Sequence, residues 1–262
     1  MASLAGLDTY IEAMESVEGW FEPEDVYLFD GMLSAQQRLI GSGDILEIGT
    51  YRGKSAIALG YGVNRRNNEE LVICDPFERL PEHKHAESNI ASLNPDGCDI
   101  NHFDAAHFLA NWDKYHDWEP EIWKCESAEL KLRRRVRFAH IDGCHSYSCV
   151  RRDIGLCAAA LTDKGVLAID DYRNSRVPGV AAATWEAAQI RADGRRGIYP
   201  FCLSVGKLYA ATSPQAQKFW LDVATGWIDY GNWRGSVYPL SGIEVVTIWH
   251  EYPQEETEAE EE

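Results

Sequence analysis

The residues best suited to chemistry are acidic side chains accompanied by a histidine. Ile141-Asp142-Gly143-Cys144-His145-Ser146-Tyr147 and Ile169-Asp170-Asp171-Tyr172 each close an apolar run. If those runs are neighbouring strands of a parallel sheet, their ends lie about 5 Å apart, and Asp142, Asp170 and Asp171 converge on one point. Three unneutralised carboxylates gathered there are costly, so a cation is expected among them. Oxygen ligands without cysteine suit a hard ion such as Mg2+. His145 follows Asp142 by three residues and would share that mouth, where an imidazole can take a proton near neutral pH or orient a ligand.

A second constellation, Glu47-Ile48-Gly49-Thr50-Tyr51-Arg52-Gly53-Lys54-Ser55, reads as a strand-to-helix turn. Glycines let the backbone approach a ligand closely, and the helix start offers unpaired N–H groups. A phosphate-binding P-loop requires four residues between its first glycine and Gly-Lys-Ser, whereas three separate Gly49 from Gly53. The dinucleotide pattern GxGxxG fails because position 51 is tyrosine. A plain tight turn stays open at this point. Asp75, in Val72-Ile73-Cys74-Asp75-Pro76-Phe77, could accept hydrogen bonds from ribose hydroxyls or could simply cap a turn.

These residues need strands to hold them. Four short apolar segments end in acids: Ile45 to Glu47, Leu71 to Asp75, Val136 to Asp142 and Gly165 to Asp171. Continuous apolar runs of this kind mark strands buried on both faces. Helical patterns follow the first strand, at Ser55 to Tyr61, and the third, at Tyr147 to Leu161. Alternating strands and helices predict a doubly wound α/β domain with right-handed crossovers. The first 40 residues read as a helical cap, with Val26, Leu28, Phe29, Met32, Leu33 and Leu39 available to cover a sheet face. Residues 76–120, rich in histidine and tryptophan, interrupt the rhythm as an insertion or lid would. Further on come a helix over 180–191, strands near 199–204 and 207–212, a helix over 216–228 and a strand over 244–250. The acidic tail, residues 251–262, is expected to be disordered.

Composition excludes more than it selects. The 262-residue chain carries a formal charge of -17, which opposes nucleic-acid binding. Its one dense basic run, Lys131, Arg133, Arg134, Arg135 and Arg137, reads as the solvated approach to a strand. No apolar run of 18 residues and no signal-peptide pattern is seen, so a soluble, cytoplasmic protein without membrane contact is expected. Seven cysteines without a CxxC pair are expected to be reduced thiols. His83 and His85 fit a solvated loop better than a metal pair, while the tryptophans and tyrosines suit either a pocket or packing.

Taken together and in order, EIGTYRGKS, ICDPF, IDGCHSY and LAIDDY resemble the motifs of class I S-adenosylmethionine (SAM) dependent methyltransferases. The nearest resemblance is to the metal-dependent macrocin and mycinamicin sugar O-methyltransferase group, over roughly residues 18–212 and including VEGW at 17–20. It implies a Rossmann-like, mostly parallel sheet of seven strands over residues 41–250. It also implies that Glu47 and Gly49 line the methionine part of SAM, that Asp75 holds the ribose and that Ser127 lies beside the adenine. Thr50, Tyr51, Gly53, Ser55 and Asp142 complete the implied cofactor contacts. Asp142, Asp170 and Asp171 match the group's metal ligands, and His145 its base. In the catechol-type enzymes a lysine stands at the base position and an asparagine is the third ligand; His145 and Asp171 depart from that. The expected reaction is Mg2+-dependent methylation of a hydroxyl on a small molecule. Metal-free N-methylation, a non-catalytic SAM-binding protein and, more distantly, an NAD oxidoreductase are the alternatives. The N-terminal helices and a late helix offer surfaces for a homodimer.

Overall fold

The structure, a computed structural model, describes residues 4–77, 104–230 and 233–250. Its organising element is a nine-stranded sheet in the order β3-β2-β1-β4-β5-β7-β6-β9-β8. The strands are β1 (Asp44–Ile48), β2 (Leu71–Cys74), β3 (Glu121–Trp123), β4 (Val136–Ile141), β5 (Leu161–Ile169), β6 (Tyr199–Leu203), β7 (Leu208–Ala211), β8 (Trp233–Leu240) and β9 (Ile243–His250). The first five are mutually parallel, β7 runs antiparallel between β5 and β6, and the order reverses between β1 and β4. Every residue of β1, β2 and β4 is buried, which is why these strands read as mostly apolar runs.

Two helical layers cover the sheet. On one face lie α1 (Leu4–Ala13), α2 (Pro23–Leu39), α3 (Lys54–Tyr61), α4 (Ala105–Trp112) and α7 (Pro214–Tyr230), around a core that includes Phe29, Ile57, Trp112, Phe138 and Trp220. On the other lie α5 (Tyr147–Ala160) and α6 (Pro178–Ala188), packed through Val150, Ile154, Cys157, Val180 and Ala183. α2 buries Val26, Leu28, Phe29, Met32 and Leu33 against the sheet as its pattern predicts, but Leu39, its last residue, is exposed.

Several features differ from the sequence reading. The sheet has nine strands where seven are expected; β9 is the strand read over 244–250, and the unforeseen β8 pairs with it in a hairpin that joins β6. β8 escapes a reading based on burial because it is an edge strand with most side chains exposed, and it carries an arginine, a glycine and a proline. Within 76–120, residues 105–112 form the helix that crosses from β2 to β3, with Phe108 and Trp112 in the core. The rest of the expected insertion, residues 78–103, lies outside the described residues, as do His83, His85 and the tail. Arg137 does not belong to a solvated approach: it sits inside β4 with no exposure. Its guanidinium donates from Nε to Glu69 Oε1 (3.2 Å) and from Nη2 to Glu69 Oε2 (3.0 Å), with Gln36 Oε1 and the Gly62 carbonyl taking further N–H groups. A charge is tolerated at this depth only because it is paired and fully hydrogen-bonded. The six described cysteines are all free thiols.

Candidate active site

The ends of the parallel strands are sewn together by main-chain bonds. Gly49 N donates to Cys74 O (2.9 Å), Asp142 N to Ile48 O (2.8 Å), Asp170 N to Ile141 O (3.0 Å) and Asp75 N to Trp123 O (3.1 Å). Asp75, Asp142 and Asp170 therefore stand side by side at the carboxyl edge, with the strand-order reversal between β1 and β4, the place where open α/β sheets bind ligands.

The loop after β1 is packed too tightly for most residues. Gly49 has φ +83° and a Cβ there would lie 2.2 Å from the Asp142 carbonyl oxygen, while a Cβ on Gly53 (φ +92°) would meet the Phe108 ring at 2.7 Å. Asp75, nearly inaccessible, fixes the loop: Oδ2 accepts from Thr50 N (2.8 Å) and Tyr51 N (3.1 Å), and Oδ1 from Phe77 N (2.7 Å). Those bonds fill three of the roughly four acceptor positions of a carboxylate, leaving one on Oδ1. Burial raises the Asp75 pKa, and the three N–H groups pull it back.

Glu47 is fully buried under the loop. It accepts from Thr50 Oγ1 (2.5 Å), Ser55 Oγ (2.6 Å) and His140 Nδ1 (2.9 Å), so its observed work is to hold the loop and a histidine. It offers no surface to the methionine part of a cofactor. Ser127 lies beyond β3, where its hydroxyl donates to Asp153 Oδ1 (2.5 Å) and accepts from Arg152 Nη2 (3.0 Å), both on α5.

The acids after β4 and β5 do converge, with partners that the sequence reading did not single out. Asp142 and Asp170 each bring an oxygen within 4.8 Å of the other and of a ring nitrogen of His140, whereas Asp171 is not part of that trio. Asp171 Oδ1 accepts from Asn174 Nδ2 (3.0 Å), and its Oδ2 lies 3.5 Å from His145 Nε2. His145 Nε2 is also 3.6 Å from Asp142 Oδ1 and makes no hydrogen bond among the described residues. Burial opposes a charged His145, but Asp142, Asp171 and Asp170 outweigh it and its pKa is raised. Burial and the neighbouring Asp170 push Asp142 up to about 6.

Lys207 is the second unforeseen partner. The antiparallel register pairs Ile169 with Leu208, which puts Lys207 opposite Asp170. Its Nζ lies 2.8 Å from Asp170 Oδ1, 3.6 Å from Asp25 Oδ2 on α2 and 5.0 Å from the centre of the Phe21 ring. Burial disfavours both charges, yet each is stabilised by the other: the Asp170 pKa is lowered, and Lys207 is held well above its ordinary value by Asp170, Asp25 and Asp142. The signal for Lys207 is a lone basic residue in the apolar run Leu203 to Ala211, and for His140 a histidine two residues before Asp142, on the same strand face as Phe138.

Comparison with known proteins supplies the class. Residues 46–172, spanning every element just described from β1 to the end of β5, match the family model Methyltransf_24, described as a methyltransferase domain. Among solved structures, the O-methyltransferase NovP superposes with a TM-score of 0.59 at 13% identity, over 79% of this chain and 99% of NovP. CalS11, a TDP-rhamnose 3'-O-methyltransferase of calicheamicin biosynthesis, gives 0.44 at 17% identity over 71% and 78% of the two chains. TomG from Streptomyces achromogenes, involved in tomaymycin synthesis and solved with SAM, gives 0.45 at 16% over 80% and 91%. No curated protein sequence matches the chain. Residues 46–172 thus resemble a methyltransferase domain, and the sheet with its helical layers has the Rossmann-like fold of NovP.

Proposed function

We propose that the protein methylates a hydroxyl of a small polar acceptor, a sugar or a glycosylated natural product, with His145 as general base. The observation that carries this reading is the unpartnered Nε2 of His145, set between Asp142 and Asp171 at the carboxyl edge of the sheet. An aliphatic hydroxyl is a poor nucleophile at neutral pH, so a base must take its proton as the new bond forms. His145 Nε2 accepts that proton, and the flanking carboxylates stabilise the imidazolium. SAM, when bound, supplies an electrophilic methyl group. Thr50, Tyr51, Gly53 and Ser55 form the loop that faces it, Asp75 keeps an acceptor position for the ribose, and Ser127 stands at the next strand end. Glu47 and Gly49 act beneath, shaping the loop.

A divalent cation fits the same edge, because Asp142 and Asp170 converge with a ring nitrogen of the buried His140, whose Nε2 has no partner among the described residues. Such an ion would supply Lewis acidity to the acceptor oxygen. The expectation of Mg2+ rests on the oxygen ligands, with Asp171 as a third. One observation favours a second reading, metal-free transfer to an amino group: Lys207 already neutralises part of the acidic cluster. The likeness in fold to NovP, an O-methyltransferase, lends support to the oxygen acceptor.

Methyl-labelled SAM incubated with a panel of glycosides and amino sugars tests the proposal. Label recovered as a methyl ether on a sugar hydroxyl is the expected result; label recovered only on amines would replace it with the second reading.

A further inference from the structure

The least explained group at the site is His140. Its ring has no exposure, lies 5.1 Å from Phe29 and 6.2 Å from Phe21 between ring centres, and is flanked in the sheet by Glu47 on β1 and Ala168 on β5. Nδ1 is 2.9 Å from Glu47 Oε1. A carboxylate that already takes two hydroxyl protons, from Thr50 and Ser55, can only accept, so Nδ1 carries the hydrogen. The other ring nitrogen, Nε2, is buried without a hydrogen-bond partner among the described residues. A ring nitrogen of His140 lies within 4.8 Å of oxygens of Asp142 and Asp170. A buried ring nitrogen left without a hydrogen-bond partner is costly.

A histidine that donates one ring N–H to a buried carboxylate, keeps its other nitrogen unpartnered and lies beside two further acids has the arrangement typical of a metal ligand. Asp170 is arranged similarly. Its Oδ1 takes Lys207 Nζ (2.8 Å) and Asp171 N (2.9 Å), and its Oδ2 has no hydrogen-bond partner among the described residues. Lys207 thus orients Asp170 without consuming it.

We propose that His140, oriented by Glu47, is a nitrogen ligand to a divalent ion shared with Asp142 and Asp170, and that the site selects a nitrogen-accepting transition ion such as Mn2+ over Mg2+. The inference rests on the reading that a cation binds this edge, and it replaces the all-oxygen set in which Asp171 is the third ligand. Imidazole suits first-row transition ions, whereas Mg2+ prefers oxygen and retains its waters.

The test is titration of the full-length protein with Mn2+ and with Mg2+, followed by pulsed electron paramagnetic resonance of the Mn2+ form. Mn2+ should bind about tenfold or more tightly than Mg2+ and show coupling to one 14N nucleus. That coupling should vanish in His140→Gln and persist in His145→Gln. Glu47→Gln should weaken Mn2+ binding by about 10- to 100-fold. The wild-type spectrum needs no variant, so a His140 substitution that fails to fold leaves the test intact. Bound Mn2+ without nitrogen coupling, or coupling lost only in His145→Gln, overturns the role of His140 while the cation reading stands. If neither ion binds, both fail, and calorimetric titration of the same sample with SAM shows whether the methyl-donor site survives independently.

Discussion

Gly49 shows how little latitude the site leaves a single residue. Its left-handed backbone lets β1 turn away under the Asp142 carbonyl, and any side chain would collide there at 2.2 Å. Gly49→Ala should destabilise the fold by about 1–3 kcal/mol for the backbone conformation and by a similar amount for the forced contact. Urea denaturation would read this, and a loss under 1 kcal/mol would mean that the loop relaxes freely. The Arg137–Glu69 pair carries a comparable load away from the site. Removing one partner of such a buried pair leaves an uncompensated charge, at about 3–5 kcal/mol. Glu69→Ala should show that loss in equilibrium unfolding, and Arg137→Met combined with Glu69→Leu should recover much of it. Full destabilisation in the double variant would show that packing, rather than the unpaired charge, is responsible.

Among the elements, α4 ties the crossover to α3 through His116. Its ring packs at a tilt against Trp112, with centres 4.2 Å apart, and against Tyr61 at 4.6 Å, while Nε2 donates to the Ile57 carbonyl (2.9 Å). Burial lowers its pKa below the ordinary 6.5. As pH falls below 6.5 the unfolded chain binds this proton first, so stability is constant above that value and declines below it until the folded-state pKa is reached. The slope contributed is at most about 1.4 kcal/mol per pH unit. Denaturation midpoints between pH 7.5 and about 5 should show the decline, and His116→Phe should flatten it; an unchanged slope in the variant would assign the acid sensitivity elsewhere. The same scale shows what could be read beforehand. Strands β1, β2, β4 and β5 were legible because short, mostly apolar segments ended in acids, and Asp75, Asp142 and Asp170 stand at the ends of their strands. His140, Lys207 and Arg137 were hidden because their roles follow from register: which residue faces Glu47, which lies opposite Asp170, and which β4 residue turns toward Glu69. The edge strand β8 was hidden for the opposite reason, since a strand open to solvent leaves no apolar run.

At the scale of the whole molecule, the charge of -17 separates into parts with different consequences. Residues 251–262 concentrate acids in a terminal tail, whereas Glu47, Asp75, Asp142, Asp170 and Asp171 gather at one edge of the sheet, joined there by Asp25 from α2 and countered by Lys207. Among the described residues no helix is long and apolar enough to cross a membrane. Helix α2 thereby does more than cap the sheet: Phe21, just ahead of it, and Asp25 within it form part of the wall around Lys207. His145 is the centre of the proposed reaction, and turnover of His145→Ala measured alongside its SAM affinity tests its role most directly. General-base catalysis is worth about 10²- to 10⁴-fold, so kcat should fall by that factor while the Kd for SAM stays within a few-fold of wild type. Wild-type turnover in His145→Ala would contradict the account.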